Sequence, residues 1–308
     1  MKIAFLYGGQ GSQKPGMGLD FYENSQAAKE FYDSIDIEKN VKELSFFSDE
    51  KTLKETENTQ VALVAFQIMV TKLLKEKGIS PDATAGLSIG EYGALYSSGV
   101  LRAEDALKIA EFRGEAMKKS SENIDTLMYA IVGSSEDIVS EVVTKHSDEK
   151  NFASISNLNC PGQIVISGER SAVLASVESL KEMGSKAIEL KVSGPFHTEY
   201  MKDAAKELEN FFKTVDFKVE TVDMYYNLTG KQRSDEDVKE MMIKQVMRTV
   251  RFEDALKNMV KDGVDLFVEI GFNNVLKGFM RKVDRKIKVS TISTYDEYLK
   301  FVEEIQGE

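Results

Sequence analysis

Gly86-Leu87-Ser88-Ile89-Gly90 closes a short apolar segment and runs directly into Glu91-Tyr92-Gly93-Ala94-Leu95. The pattern is strand, tight turn, helix, with a serine at the apex. Glycines two residues either side of the serine remove Cβ atoms for which so sharp a turn has no room. The hydroxyl then stands clear of the fold, and N–H groups at the start of the next helix face a developing oxyanion. Such a turn serves attack on an acyl carbon. A serine hydroxyl needs a base for that, and the chain has two histidines, His146 and His197. His146 lies near an expected helix C-terminus, where a cationic group suits the helix dipole. His146 reads more readily as structural or solvated, which leaves His197 as the better of the two candidate bases. Alone, the five-residue pattern is weak evidence, because serine and glycine are common.

The elements that must position these residues alternate along the chain. Ile3–Tyr7 reads as a buried strand breaking into the glycine-rich loop Gly8-Gly9-Gln10-Gly11-Ser12-Gln13. The third glycine of a dinucleotide loop falls on Lys14, and no P-loop pattern occurs. This loop is better read as bringing a backbone N–H beside the serine turn, since parallel strands end on one sheet edge. Val61–Leu74 is apolar nearly all round, which predicts a helix buried in a large domain. Helices are expected at Tyr92–Ser97 and Ala103–Lys118. Between Leu127 and Val192 the order becomes βαββαβ, that of a ferredoxin-like split unit. The large domain resumes with helix His197–Phe212, strand Asp223–Leu228, helices Val238–Met247 and Phe252–Asp262, and strands Asp265–Ile270 and Lys288–Ile292. The expected fold is α/β: a hydrolase-like large domain (1–125 and 193–308) with a mostly parallel sheet and an inserted ferredoxin-like subdomain (126–192).

Composition narrows the function. A chain of 308 residues with 42% hydrophobic content can bury a substantial core. A formal net charge of −11 argues against general nucleic-acid binding. One cysteine, Cys160, fits a reducing compartment, and two distant histidines offer no zinc cluster. No apolar run reaches membrane-spanning length, and the first apolar stretch is too short for a secretory signal. A cytoplasmic protein is expected, with no bound metal or cofactor. Nothing demands an oligomer, so a monomer is expected.

Further blocks accompany the serine turn: Gly9-Gln10-Gly11-Ser12-Gln13 with Gly16-Met17-Gly18, then Asn58-Thr59-Gln60, Arg113-Gly114 and Asn157-Leu158-Asn159-Cys160-Pro161-Gly162-Gln163. Ser193-Gly194-Pro195-Phe196-His197, Asn227-Leu228-Thr229-Gly230 and Glu269-Ile270-Gly271 follow. In this order, across nearly the whole chain, they resemble the malonyl-CoA:acyl carrier protein transacylases of fatty-acid and polyketide synthesis. The resemblance implies Ser88 as nucleophile and His197 as general base, the histidine held by the main-chain carbonyl of Gln245. It implies that backbone N–H groups of Gln10 and Ile89 receive the oxyanion. Arg113 would pair with the free malonyl carboxylate, where a planar guanidinium suits bidentate binding, and Gln60 would stand at the site. Malonyl-CoA and acyl carrier protein are the implied substrate and transient partner.

Departures bear on substrate choice. The family commonly has histidine at Leu87, proline at Gly8 and Thr249, a small residue at Tyr129, and a Gly-Lys pair at Asn273-Asn274. Leu87 removes a polar neighbour of the serine, and Tyr129 is expected to narrow the acyl pocket. The basic run Lys277, Arg281, Lys282, Arg285, Lys286 and Lys288 reads equally as a solvated face or as a landing site for an acidic carrier. Two other functions remain open from the residues: a serine hydrolase with an acid partner for His197, and a carrier-binding scaffold without chemistry.

Overall fold

The computed structural model describes residues 1–149, 151–192 and 194–307. Ten strands are found among them: β1 (Ile3–Tyr7), β2 (Ala83–Gly86), β3 (Thr126–Val132), β4 (Ala153–Cys160), β5 (Gln163–Glu169), β6 (Lys186–Glu189), β7 (Asp223–Tyr225), β8 (Val250–Arg251), β9 (Leu266–Ile270) and β10 (Lys288–Ile292). They form two five-stranded sheets. The first, in the order β10-β9-β1-β2-β7, is parallel throughout. Every residue of β1 is buried. Parallel sheets are covered on both faces, so their strands read as continuous apolar runs.

Alternation along β1 decides which layer each residue joins. Ile3, Phe5 and Tyr7 pack with the helix Thr56–Glu76 on one face. Ala4 and Leu6 pack with the helices Phe252–Lys261 and Val275–Val283 on the other. Thr56–Glu76 is buried from Thr56 to Thr71 without a break, as its all-round apolar sequence predicts.

The second sheet runs β6-β3-β5-β4-β8. Its first four strands pair antiparallel, and helices Glu136–Lys145 and Arg170–Glu182 cover one face. β8 comes from the later chain and joins β4 in parallel, pairing Asn157 with Val250 and Leu158 with Arg251. Both sheets therefore meet around the site.

Several expected elements are shortened. The strand expected over Lys186–Val192 stops at Glu189, and that over Asp223–Leu228 stops at Tyr225, where Tyr226 turns to pair with Lys231. The helix expected from His197 begins later, as a short turn Glu199–Met201 leading into Lys202–Phe212. His197 itself has φ of 60°, which ends any helical reading there. Helices Leu19–Asn24, Gln26–Asp33, Val275–Val283 and Tyr295–Gly307, and strand β8, lie where no element was assigned. Ser193, which opens one motif block, lies outside the described residues. Tyr129 does not narrow the pocket as expected: it packs toward helices Glu136–Lys145 and Arg170–Glu182 and donates to Glu189 Oε2 at 3.1 Å. Met128, its neighbour on the other face, takes the pocket position.

Candidate active site

The site stands at the C-terminal edge of the parallel sheet. β1 and β2 are adjacent and in register, with Tyr7 opposite Gly86. The Gly8–Gln13 loop and the serine turn therefore leave the sheet side by side, and Leu87 N–H donates to the Tyr7 carbonyl at 2.9 Å. Gly86 and Gly90 are required by contact. A Cβ on Gly86 would lie 2.0 Å from the Gly90 carbonyl, and one on Gly90 would lie 2.3 Å from the Tyr7 carbonyl oxygen. Between them Ser88 has φ of 53°, a left-handed conformation that costs a non-glycine residue about 1–3 kcal/mol. Asn227 holds it there. Its Oδ1 accepts from Ser88 N–H at 2.7 Å, and its Nδ2 donates to the Gly86 carbonyl at 2.6 Å.

His197 reaches the same point from the turn before Glu199–Met201. Its N–H donates to the Val246 carbonyl at 3.1 Å. The ring bridges two partners: Nδ1 lies 2.8 Å from the Gln245 carbonyl and Nε2 lies 2.7 Å from Ser88 Oγ. A carbonyl only accepts, so Nδ1 carries the proton and the Nε2 lone pair faces the serine hydroxyl. Burial, and then the nearby charge of Arg113, push the imidazole down to about 3, partly offset by the Gln245 carbonyl. The ring is neutral at ordinary pH and can take the Ser88 proton.

Arg113, on helix Ala103–Lys119, is 1% exposed, an unusual place for a guanidinium. Nη1 donates to Gln60 Oε1 at 2.6 Å; Nη2 lies 3.1 Å from Gln245 Oε1 and 3.3 Å from Ser88 Oγ. The guanidinium carbon lies 5.8 Å from the Tyr92 ring centroid. Gln10 and Ile89 flank the serine on the sheet edge. Among the described residues no group accepts from either N–H, which leaves both donors to the space beside Ser88.

Of these residues, Gln10, Gln60, Ser88, Arg113 and His197 line a cavity of about 120 Å³. Gln10, Gln60, Leu87, Ser88, Arg113 and His197 come from the large sheet and its helices; Met128, Asn157, Asn159 and Val165 come from the second sheet. All seven residues expected at the site, Gln245 included, are thus brought together. His146 is elsewhere, bonded to Ser179 Oγ at 2.8 Å. Two residues with no assigned role prove central. Asn227 holds the serine, and Glu91, 1% exposed, accepts from Asn227 N–H at 2.8 Å and Gln245 Nε2 at 2.9 Å. Burial pushes the Glu91 carboxyl up to about 8, opposed by those two donors and the Arg113 charge. Both belong to motif blocks quoted above, which was the available signal. Among the described residues no group of three or more His, Cys, Asp and Glu is placed to hold a metal ion.

The chain matches the acyl transferase domain family over residues 4–295. It is 42% identical over 296 residues to the malonyl CoA-acyl carrier protein transacylase of Bacillus subtilis (strain 168), covering 95% of this chain and 93% of that protein. The crystal structure of the Clostridium perfringens malonyl CoA-acyl carrier protein transacylase superposes with a TM-score of 0.93 at 32% identity, over 100% of this chain and 98% of that one. A malonyl-transacylase solved in complex with its type II PKS acyl-carrier protein superposes equally well, at 0.93 with 27% identity, over 99% and 100%.

Proposed function

Because the chain belongs to the acyl transferase domain family and aligns over nearly its whole length with malonyl CoA-acyl carrier protein transacylases, we propose that it moves a malonyl group from malonyl-CoA to the phosphopantetheine thiol of an acyl carrier protein. That transfer supplies extender units for fatty-acid or polyketide chains. The observation that carries the reading is Arg113 Nη2 at 3.3 Å from the same Ser88 Oγ that His197 Nε2 approaches at 2.7 Å. A buried cation beside a nucleophile selects an acyl group with a carboxylate close to its reacting carbon. In malonyl the two are separated by one methylene.

His197 Nε2 takes the Ser88 proton as Oγ attacks the thioester carbonyl. The oxyanion rests on the N–H groups of Gln10 and Ile89. Collapse breaks the carbon–sulfur bond, and the departing coenzyme A thiolate takes the proton from His197. The carrier's thiol then gives its proton to His197 and attacks the malonyl-serine ester, and Ser88 leaves with that proton. Gln245 orients the base through its carbonyl, and Gln60 fixes one arm of Arg113.

The large part (1–125 and 193–308) carries this chemistry, and the ferredoxin-like part (126–192) closes the acyl pocket with Met128, Asn157 and Asn159. The seven expected site residues meet without a contribution from a second copy, and the enzyme is proposed to act as a monomer. Cys160 is buried and free, and no helix among the described residues is long and apolar enough to cross a membrane; both support a cytoplasmic enzyme. The exposed Arg281, Lys282, Arg285 and Lys286 are the proposed docking face for an acidic carrier. A hydrolase triad is disfavoured, because the Nδ1 position that an acid partner would occupy faces the Gln245 carbonyl.

Intact mass spectrometry after mixing with malonyl-CoA tests the reading. A malonyl adduct on Ser88 that passes to added holo acyl carrier protein is expected. Arg113→Ala should lose the preference for malonyl-CoA over acetyl-CoA. Equal loss of the adduct to water with and without carrier would make the protein a hydrolase.

A further inference from the structure

Gln245 presents three groups to the site, and elementary donor–acceptor logic fixes how. Arg113 has donors only, so the amide oxygen of Gln245 must face it. The amide nitrogen must then point the other way, toward the Ser88 carbonyl at 2.9 Å and Glu91 Oε2 at 2.9 Å. With that side chain held, the Gln245 main-chain carbonyl meets His197 Nδ1. The nucleophile has a matching arm. Asn227 binds the Ser88 N–H and the Gly86 carbonyl through its side chain, while its own N–H donates to Glu91 Oε1. Each oxygen of one carboxyl group therefore anchors one arm: Oε1 the serine arm, Oε2 the histidine arm. Glu91 occupies the first turn of Gly90–Ser97, the helix that follows the serine directly.

We propose that Glu91 is a positioning residue of the transfer reaction: its two carboxyl oxygens tie the Asn227 arm, which holds the Ser88 main chain, to the Gln245 arm, which holds His197. The proposal rests on Ser88 and His197 reacting as described above. A carboxyl group is suited to the post because both of its oxygens accept. A glutamine has one acceptor and one donor, so it meets one of the two N–H groups with a donor and loses that arm. A fully buried carboxyl is costly unless its oxygens are hydrogen-bonded, and here both accept.

The test compares wild type with Glu91→Gln, which keeps size and removes one acceptor. The first-turnover rate of Ser88 acylation by malonyl-CoA is followed by quenched-flow mass spectrometry, with KM for malonyl-CoA in steady state. Glu91→Gln should acylate at least tenfold more slowly with KM within twofold of wild type. Asn227→Ala, which keeps the N–H that Glu91 accepts but removes the side chain that holds Ser88, should also be slow. Acylation by Glu91→Gln at the wild-type rate would overturn the proposal. If Glu91→Gln does not fold, Glu91→Asp takes its place, because it keeps the carboxyl group but is too short to reach both donors. A wild-type protein that forms no malonyl adduct would instead overturn the proposed function, leaving the two failures distinguishable.

Discussion

At the residue scale, the pairing of Ser88 with His197 shows how an ordinary side chain is tuned by its surroundings. An exposed imidazole titrates near 6.5, but here burial and the Arg113 charge hold it near 3. The sign of the kinetic consequence follows. His197 acts as a base only when neutral, and a lowered value keeps it neutral further into acid. The free enzyme's kcat/KM for malonyl-CoA should therefore stay level from pH 7 down to about 5, without the usual histidine limb near 6.5. A pH profile with half-maximal activity between 6 and 7 would show that the base is not held as the geometry implies. Ser88, Gln60 and Arg113 were legible in the sequence because they sit in short motif blocks. The work of Glu91 and Asn227 was not, although both are in such blocks. Their roles depend on which oxygen meets which N–H, and that is settled only when residues 136 positions apart come together.

At the scale of elements, the serine turn is possible only because two chain crossings lack side chains. A Cβ at Gly86 would approach backbone atoms of Gly90 and Glu91 within 2.3 Å, and backbone cannot move aside as a flexible side chain can. Overpacking of this kind costs about 1–3 kcal/mol in a core that can yield, and more where it cannot. Gly86→Ala should therefore lower Tm by well over 5 °C or fail to give soluble protein. Gly278, within the helix Val275–Val283, has open space around its missing Cβ. Gly278→Ala should leave Tm unchanged or raise it slightly, by the entropy removed from the unfolded chain. Thermal melts of the two variants beside wild type check both expectations; equal behaviour would show that the elbow is not packed as described. The central elements were legible for the same reason that they are rigid: Ile3–Tyr7 and the stretch 56–71 are buried all round, and a long apolar run leaves few other readings. The termini were less legible. Strand β6 ends at Glu189 and the helix after His197 starts late, because ends are set by tertiary hydrogen bonds rather than by local pattern. The helix Val275–Val283 went unassigned for a related reason. Its first N–H groups are capped not by the N-cap residue Asn274 but from the preceding strand, Leu276 and Lys277 donating to the buried Glu269 carboxyl.

At the scale of the whole molecule, charge is distributed unevenly, and that bears on how a partner arrives. The chain carries 51 acidic and 40 basic residues, so an acidic carrier is repelled by the protein on average. Attraction must then be local. Arg281, Lys282, Arg285 and Lys286 are exposed, and none makes an ion pair with a carboxylate among the described residues. They lie on and just beyond the helix that follows β9. The helix leaves the sheet edge where β9 ends beside β1 and leads back to β10, whose Lys288 pairs with Leu266 at the start of β9. A basic face of this kind steers an acidic partner to the protein, and steering acts on the association rate and fades as salt screens it. Arg281→Glu with Lys282→Glu should lower kcat/KM for holo acyl carrier protein by about tenfold at low ionic strength. The deficit should shrink as salt rises through a few tenths molar, where the Debye length falls toward about 5 Å. Acylation of Ser88 by malonyl-CoA, measured alone, should be unchanged. Coenzyme A also carries phosphates, so the two half-reactions decide between partners. Slowed acylation with a normal carrier step would assign the face to coenzyme A, and no change in either step would make it a solvated surface.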